Sequence, residues 1–353
     1  MWAYILKRLL LMIPTLFGVM LVTFTVTQFV PGGPVEQLIH QLQHAPVGIG
    51  GAEAGGAGQR LYRGSTGLDP EKIKEIKALY GFDKPAYVRF FEMIRNYARF
   101  DFGNSFYYQQ SVVSLIASKM PVSISLGMWT FFIVYLSCIP LGIRKAIKDG
   151  SSFDVASSTI ILVGYAIPGF VLGIFLVVLF GGGSFWDVFP LRGLISDNWA
   201  TLSWFAKIKD YLWHMVLPVT SLVVGSFAIM TMLTKNSFLE EIRKQYVVTA
   251  RAKGLAERQV LYKHVFRNAM IPLITGFPSA FIMSFFAGSI LIEQIFSLDG
   301  IGLLMYDSIM KRDYPVVLGE LFIITLLGLV AKLLTDLCYV LIDPRIQFET
   351  VNQ

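Results

Sequence analysis

The chain has 353 residues, 54% of them hydrophobic and only 15% charged, with a mean hydropathy of +0.59. That balance excludes an ordinary soluble domain and fits a polytopic membrane protein. The net charge of +6 does not point to nucleic acid, because the basic residues cluster beside apolar segments, where they act as topology determinants.

The first apolar run, Leu9–Val30, follows Lys7 and Arg8 and ends at Pro31-Gly32-Gly33-Pro34. It exceeds a signal-peptide core and no small-x-small cleavage site follows, so the expectation is an uncleaved span; proline and glycine then stop the helix. Residues 31–120 read as an extramembranous stretch. Its portion Gly48–Gly67 is rich in Gly and Ala and reads as a loop. Asp69, Pro70 and Glu71 supply an N-cap, a first-position proline and a first-turn acid, and Gly81 closes that helix. After Pro85, a stripe of Tyr87, Phe90, Phe91, Ile94 and Tyr97 or Ala98 predicts a second amphipathic helix. Together they predict a small helical cap.

Five further apolar segments follow, at Val122–Ile143, Val155–Phe180, Leu212–Leu233, Ala269–Ile292 and Pro315–Ile342. Each is long enough for a helix and none alternates like a barrel strand. The expectation is therefore an all-α chain with six transmembrane helices, divided as 1–30, the insertion 31–120 and a core over 121–353. With six spans both termini share a side. Short loops on that side carry Lys7, Arg8, Arg144, Lys145, Lys148 and the basic residues of 235–272; loops 181–211 and 293–314 carry Arg192, Lys207, Lys209, Lys311 and Arg312. The imbalance places both termini in the cytoplasm. Trp186, Trp199, Trp204 and Trp213 fit an interfacial belt around 181–211.

The stretch 235–272 is a basic island between two apolar segments. Lys235, Arg243, Lys244, Arg251, Lys253, Arg258, Lys263 and Arg267 outweigh Glu240, Glu241 and Glu257. Gly254 separates two short helical patterns: Val247 and Ala250 on one side, and Val260, Leu261, His264 and Val265 on the other. One reading of the island is a basic anchor on anionic membrane lipids; the other is a docking surface.

Catalytic signatures are absent. There is no GxxxxGK[ST] phosphate loop, no GxSxG, no HExxH and no CxxC. Cys138 and Cys338 lie in apolar segments and form no disulfide framework. His40 and His44 can share a helix face but lack a third ligand, so no metal and no cofactor is expected. Within the spans, ionisable and helix-breaking residues are candidates for translocation or gating. Lys332 and Asp336 lie four apart and can neutralise each other or act in gating. Glu320 is either paired in the bundle or facing a cationic group of a substrate. Pro168, in Tyr165-Ala166-Ile167-Pro168-Gly169, either kinks a span or lines a pathway.

The order Tyr246-Val247-Val248-Thr249-Ala250-Arg251-Ala252-Lys253-Gly254-Leu255, followed by His264-Val265-Phe266-Arg267-Asn268-Ala269-Met270-Ile271-Pro272, resembles the coupling loop of bacterial ABC importer permeases. Thr249 to Gly254 stands where the family usually reads Glu-Ala-Ala and then Gly. Further matches are Tyr4 to Pro34, Tyr80 to Pro85, Asp101 to Ser105, Glu293 to Gly302 and Asp343-Pro344-Arg345. The chain is most similar to B-type permeases of dipeptide and oligopeptide importers, in particular the Yej-type branch associated with peptide and microcin C uptake. The resemblance implies a type I ABC importer permease fold in the bacterial inner membrane. It also implies a heteromeric assembly with a C-type permease subunit, two ATP-binding subunits or one fused ATPase chain, an extracytoplasmic substrate-binding protein and a peptide substrate. In that reading Tyr246, Val247, Ala250, Arg251, Lys253, Gly254 and Leu255 form the ATPase-coupling element, with Val247 and Ala250 as its buried anchor in the ATPase groove. The rival class is a self-sufficient secondary transporter or channel, against which stand the lack of visible inverted repeats and the single dominant basic loop.

Overall fold

A computed structural model describes residues 2–30, 83–182, 185–286 and 289–342. The expected loop at Gly48–Gly67, the helix begun at Pro70, the histidine pair at 40 and 44, Pro31 to Pro34 and Asp343-Pro344-Arg345 lie outside the described residues. The chain is all-helical where described, with only two isolated bridges, Asn104 with Ser111 and Gly181 with Asp187.

In chain order the helices are α1 (Trp2–Phe29), α2 (Ala86–Tyr97), α3 (Val112–Ile147), α4 (Ser152–Ala166), α5 (Gly169–Phe180), α6 (Trp204–Ile242), α7 (Gln245–Ala252), α8 (Glu257–Gln259), a π-helix (Val260–Val265), α9 (Phe266–Ala269), α10 (Ile271–Ser284), α11 (Ile290–Ile295), α12 (Ile301–Met310) and α13 (Tyr314–Ile342). Among the described residues, four helices are long and apolar enough to cross a membrane, or six if each of two bent pairs counts as one span. The bent pairs are α4 with α5, at 92°, and α8–α9 with α10, at 49°.

The first break has a local cause. Pro168 disfavours helical backbone at Ile167, and Ile167 is extended, with φ −89° and ψ 118°. Gly169 then lets α5 press against α6: a Cβ there would lie 2.9 Å from the Ser221 carbonyl oxygen. One turn on, Gly173 faces Ile292, Phe296 and the Ser221 hydroxyl. The continuous span expected over Val155–Phe180 is thus two helices wedged at a proline. The segment Ala269–Ile292 also departs from one straight helix, ending as α10 at Ser284 before α11 begins.

The described residues divide into two compact units, one drawn from 1–13, 114–307 and 322–353, the other from 14–113 and 308–321. In the second unit Phe90 packs its ring against Phe17 and Phe24, at 5.4 and 5.3 Å between centroids. The buried stripe of α2 is Phe90 and Tyr97 with Ile94 half-buried, whereas Tyr87 and Phe91, assigned to it from the sequence, point outward at 68% and 61% exposure. Asp101 to Ser105 forms a closed turn: Gly103 has φ +74° and its carbonyl accepts from the Val112 N–H at 3.0 Å. Ser105 donates its hydroxyl proton to Asp313, which also accepts the Phe106 N–H at 2.9 Å.

In the first unit, the segment from Glu293 to Gly302 folds around one buried carboxyl group. Glu293 accepts from the Leu303 N–H at 2.7 Å and the Ser123 hydroxyl at 3.1 Å, and Ser123 accepts the Ile301 N–H at 2.8 Å. The acid thereby satisfies the first turn of α12 from inside. Gly300 is required by this closeness, since a Cβ there would come within 2.6 Å of the carboxylate. Burial raises the Glu293 carboxyl to about 7, the Leu303 and Ser123 hydrogen bonds opposing it and nearby Asp299 adding to it. The folded segment therefore holds a proton that the unfolded chain, with an ordinary glutamate, releases. Its stability is fully present below the ordinary carboxyl range and falls as pH rises through about 7, by on the order of 2–3 kcal/mol. Hydrogen-exchange protection of residues 300–304, corrected for intrinsic rates, should fall between pH 5.5 and 8, and Glu293→Gln should flatten that slope. Equal slopes in the two proteins would contradict the assignment.

Candidate functional site

The island forms a compact hairpin on the end of α6. That helix runs on past the expected apolar segment to Ile242, and Arg243 and Lys244 turn the chain into α7. Tyr246 donates to Glu241 at 2.6 Å, and Lys244 pairs with the same carboxylate. Burial, with the Glu241 hydrogen bond adding to it, raises the Tyr246 phenol above its ordinary value, so it stays a donor.

At the far end α7 closes in a left-handed glycine cap. Gly254 has φ +78° and donates its N–H to the Arg251 carbonyl at 2.9 Å, while the Leu255 N–H reaches the Ala250 carbonyl at 3.4 Å. These are the two bonds of a Schellman motif, and they satisfy carbonyls that the helix end would otherwise leave open. Arg251 grips Glu257 with two bonds, at 2.6 and 3.0 Å, across that turn. The pair is solvent-exposed, so it steers the hairpin more than it stabilises it.

The return arm contains a π-helix over Val260–Val265. Its wider turn explains an apolar pair five residues apart: Val260 and Val265 are both fully buried. They join Val247, Ala250, Phe238, Ala146 and Ala269 in one cluster, which seals the hairpin onto the ends of α3 and α6.

This corrects the role expected for Val247 and Ala250. Val247 is 0% exposed and Ala250 is also buried, both against the chain's own residues. They anchor the hairpin to its own protein and are not available to an ATPase groove. The outward face of α7 and its cap is Val248, at 51% exposure, with Thr249, Arg251, Ala252, Lys253 and Leu255. Periodicity marked an apolar face but did not say which body that face contacts.

The remaining candidates are dispersed. Pro168 stands at the α4–α5 break. Glu320 is buried in the second unit. Lys332 and Asp336 do not pair: Asp336 binds Arg8 at 2.8 Å and accepts from Tyr4 at 2.9 Å, while Lys332 is exposed. Arg8 and Tyr4 of α1 hold the aspartate in place of the lysine one turn before it.

One constellation escaped the sequence reading. Lys145, counted there as a loop charge, is 0% exposed. Its ammonium binds the Asp154 carboxylate at 3.0 Å, the Asp154 carbonyl at 2.8 Å, and the Ser157 and Ser158 hydroxyls at 2.7 Å each. The other Asp154 oxygen takes Lys235 at 2.7 Å and the Gly150 N–H at 3.1 Å. The pattern Asp149-Gly150-Ser151-x-x-Asp154, a turn followed by an N-cap, was the available signal; Ser151 does accept the Asp154 N–H.

Two substitutions separate the two faces of α7. Ala250→Glu buries an uncompensated charge and should lower the thermal stability of the isolated chain by several kcal/mol. Val248→Glu should shift it by no more than about 0.5 kcal/mol. Gly254→Ala should cost about 1–2 kcal/mol through its left-handed backbone. Thermal unfolding in detergent checks all three.

Residues 138–348 match the binding-protein-dependent transport system inner membrane component family. The chain is 58% identical to the peptidoglycan transport system permease protein YejB of Agrobacterium fabrum, over 99% of each chain. It is 54% identical to the inner membrane ABC transporter permease protein YejB of Escherichia coli O157:H7, over 99% of this chain and 100% of the relative. It is 32% identical to the oligopeptide transport system permease protein AppB of Bacillus subtilis, again over 99% and 100%. A chain of apolar helices carrying a basic hairpin, matched over nearly its whole length by permeases, belongs to the family of inner membrane components of binding-protein-dependent ABC importers.

Proposed function

We propose that this permease carries peptides or peptide-like compounds and takes its energy from a separate ATPase through the outward face of residues 246–255. The observation that carries the reading is that face itself. It is an exposed helix of Val248, Thr249, Ala252 and Leu255 edged by Arg251 and Lys253, and its opposite face is sealed to the permease by Val247 and Ala250. A helix so mounted moves as one body with the spans behind it, which a basic lipid anchor does not need.

The chain has no phosphate loop, so hydrolysis belongs to two ATP-binding subunits, or to one chain that fuses them. The other half of the pathway belongs to a homologous C-type permease, and delivery to an extracytoplasmic binding protein. The substrate class follows the names of the relatives, which include oligopeptide and di/tripeptide permeases. The basic hairpin is cytoplasmic in this reading, as are both termini, by the excess of lysine and arginine on that side. The chain contributes passage and coupling but no catalytic residue.

Val248→Glu tests the docking face without touching the core. In cells expressing the complete importer, co-purification of the ATP-binding subunits and peptide uptake should both fall by about tenfold or more, with the amount of permease in the membrane unchanged. Wild-type co-purification and uptake would overturn the docking role, and uptake by this chain alone would favour a self-sufficient transporter.

A further inference from the structure

The island is tied to the membrane-spanning core at a second place, deeper than its apolar seal. Ala146 and Phe238 belong to the cluster under the hairpin. Lys145, next to Ala146, and Lys235, one turn before Phe238, both reach Asp154 in the first turn of α4. Two helix ends that carry the hairpin thus hold the start of the helix that leads to the break at Pro168.

The crossing that brings them together is unusually close. A Cβ on Gly142 would lie 2.5 Å from Thr234 Cβ and 2.8 Å from the Thr231 carbonyl oxygen, so α3 and α6 meet backbone to backbone there. Lys145 and Lys235 follow by three residues and by one. Asp149 adds a third contact, accepting from Lys235 at 3.0 Å. Lys145 is wholly buried and Asp154 nearly so. Such a node is a poor choice for mere stability, since apolar residues of equal volume serve as well or better. What it supplies is direction: a paired carboxylate cannot slip from its partners as a greasy contact can.

We propose that Asp154 is a positioning residue for transport, clamped by Lys145 and Lys235 so that displacement of the hairpin on ATP binding is handed to α4 and the Pro168 break. The proposal rests on the coupling role given to the hairpin. Breaking the clamp leaves the docking face intact, so ATP-binding subunits still assemble and hydrolyse. It is the conversion of hydrolysis into passage that fails. Coupling of this kind requires a measured interaction between sites, not proximity alone.

The complete importer, reconstituted in vesicles with its binding protein and a tripeptide, gives that measurement as peptide taken up per ATP hydrolysed. Asp154→Asn and Lys235→Met should each lower this ratio by about tenfold, and the double variant should be no worse than the poorer single, as members of one unit behave. Lys235→Arg should restore most of the ratio. If Asp154→Asn does not assemble, Lys235→Met, which leaves the Lys145 pair in place, decides alone. A ratio equal to wild type, a parallel fall of uptake and hydrolysis, or additive losses would overturn the clamp. Val248→Glu run alongside distinguishes the two readings: normal hydrolysis and uptake in that variant removes the docking face, whereas a defect there beside a normal ratio in Asp154→Asn removes only the clamp.

Discussion

A polar segment stays fixed to the membrane-spanning body beside it only if something holds it there, and here that hold is the burial of one narrow apolar face. Val247, Ala250, Val260 and Val265 turn inward onto Ala146, Phe238 and Ala269. Every other feature of the hairpin depends on that seal. The Schellman cap at Gly254 sets the angle between its arms, the π-helix brings Val260 and Val265 onto one side, and the Tyr246–Glu241 bond fixes the entrance. With these in place the charges at Arg251 and Lys253 stay on the outside without cost to the core.

The same economy of contact recurs in the spans. Close approach is made by glycines: Gly142 and Gly169 meet α6 at the Thr231–Thr234 turn and the Ser221 carbonyl, and Gly173 makes room for Ile292, Phe296 and the Ser221 hydroxyl. Membrane helices gain little from apolar burial against one another, so packing distance and paired polar groups take over. Asp154, Lys145 and Lys235 pair at one end of the bundle, and Glu293 satisfies the first turn of α12 in the Glu293–Gly302 segment. Asp154 and Glu293 are buried acids bonded from neighbouring segments, and each sits at the start of a helix.

Much of this was legible beforehand. The apolar runs gave the helices, and the order of residues from Tyr246 to Pro272 gave the family. The break at Pro168 was visible as a helix breaker, but its 92° consequence was not, because how far a chain bends depends on what Gly169 meets across the gap. Periodicity placed Val247 and Ala250 on one face and could not say whether that face was sealed or offered. Charge counting treated Lys145 as a solvated loop residue because burial of a lysine is decided by partners on other segments, here Asp154, Ser157 and Ser158. Lys332 and Asp336 satisfied a helical spacing, yet Arg8, far away in sequence, held the aspartate.

A hairpin mounted rigidly on the spans keeps its distance to them, and a distance within this chain tests that mounting. Spin labels at Lys263 on the return arm of the hairpin and Lys148 beyond the end of α3, both exposed, report their separation in the assembled importer by pulsed electron resonance. Rigid mounting predicts one narrow distance distribution that is the same without nucleotide and with ATP trapped. A shift of several ångströms (well beyond the ~1 Å by which a pre-organised interface moves), or a broad distribution in either state, would contradict it.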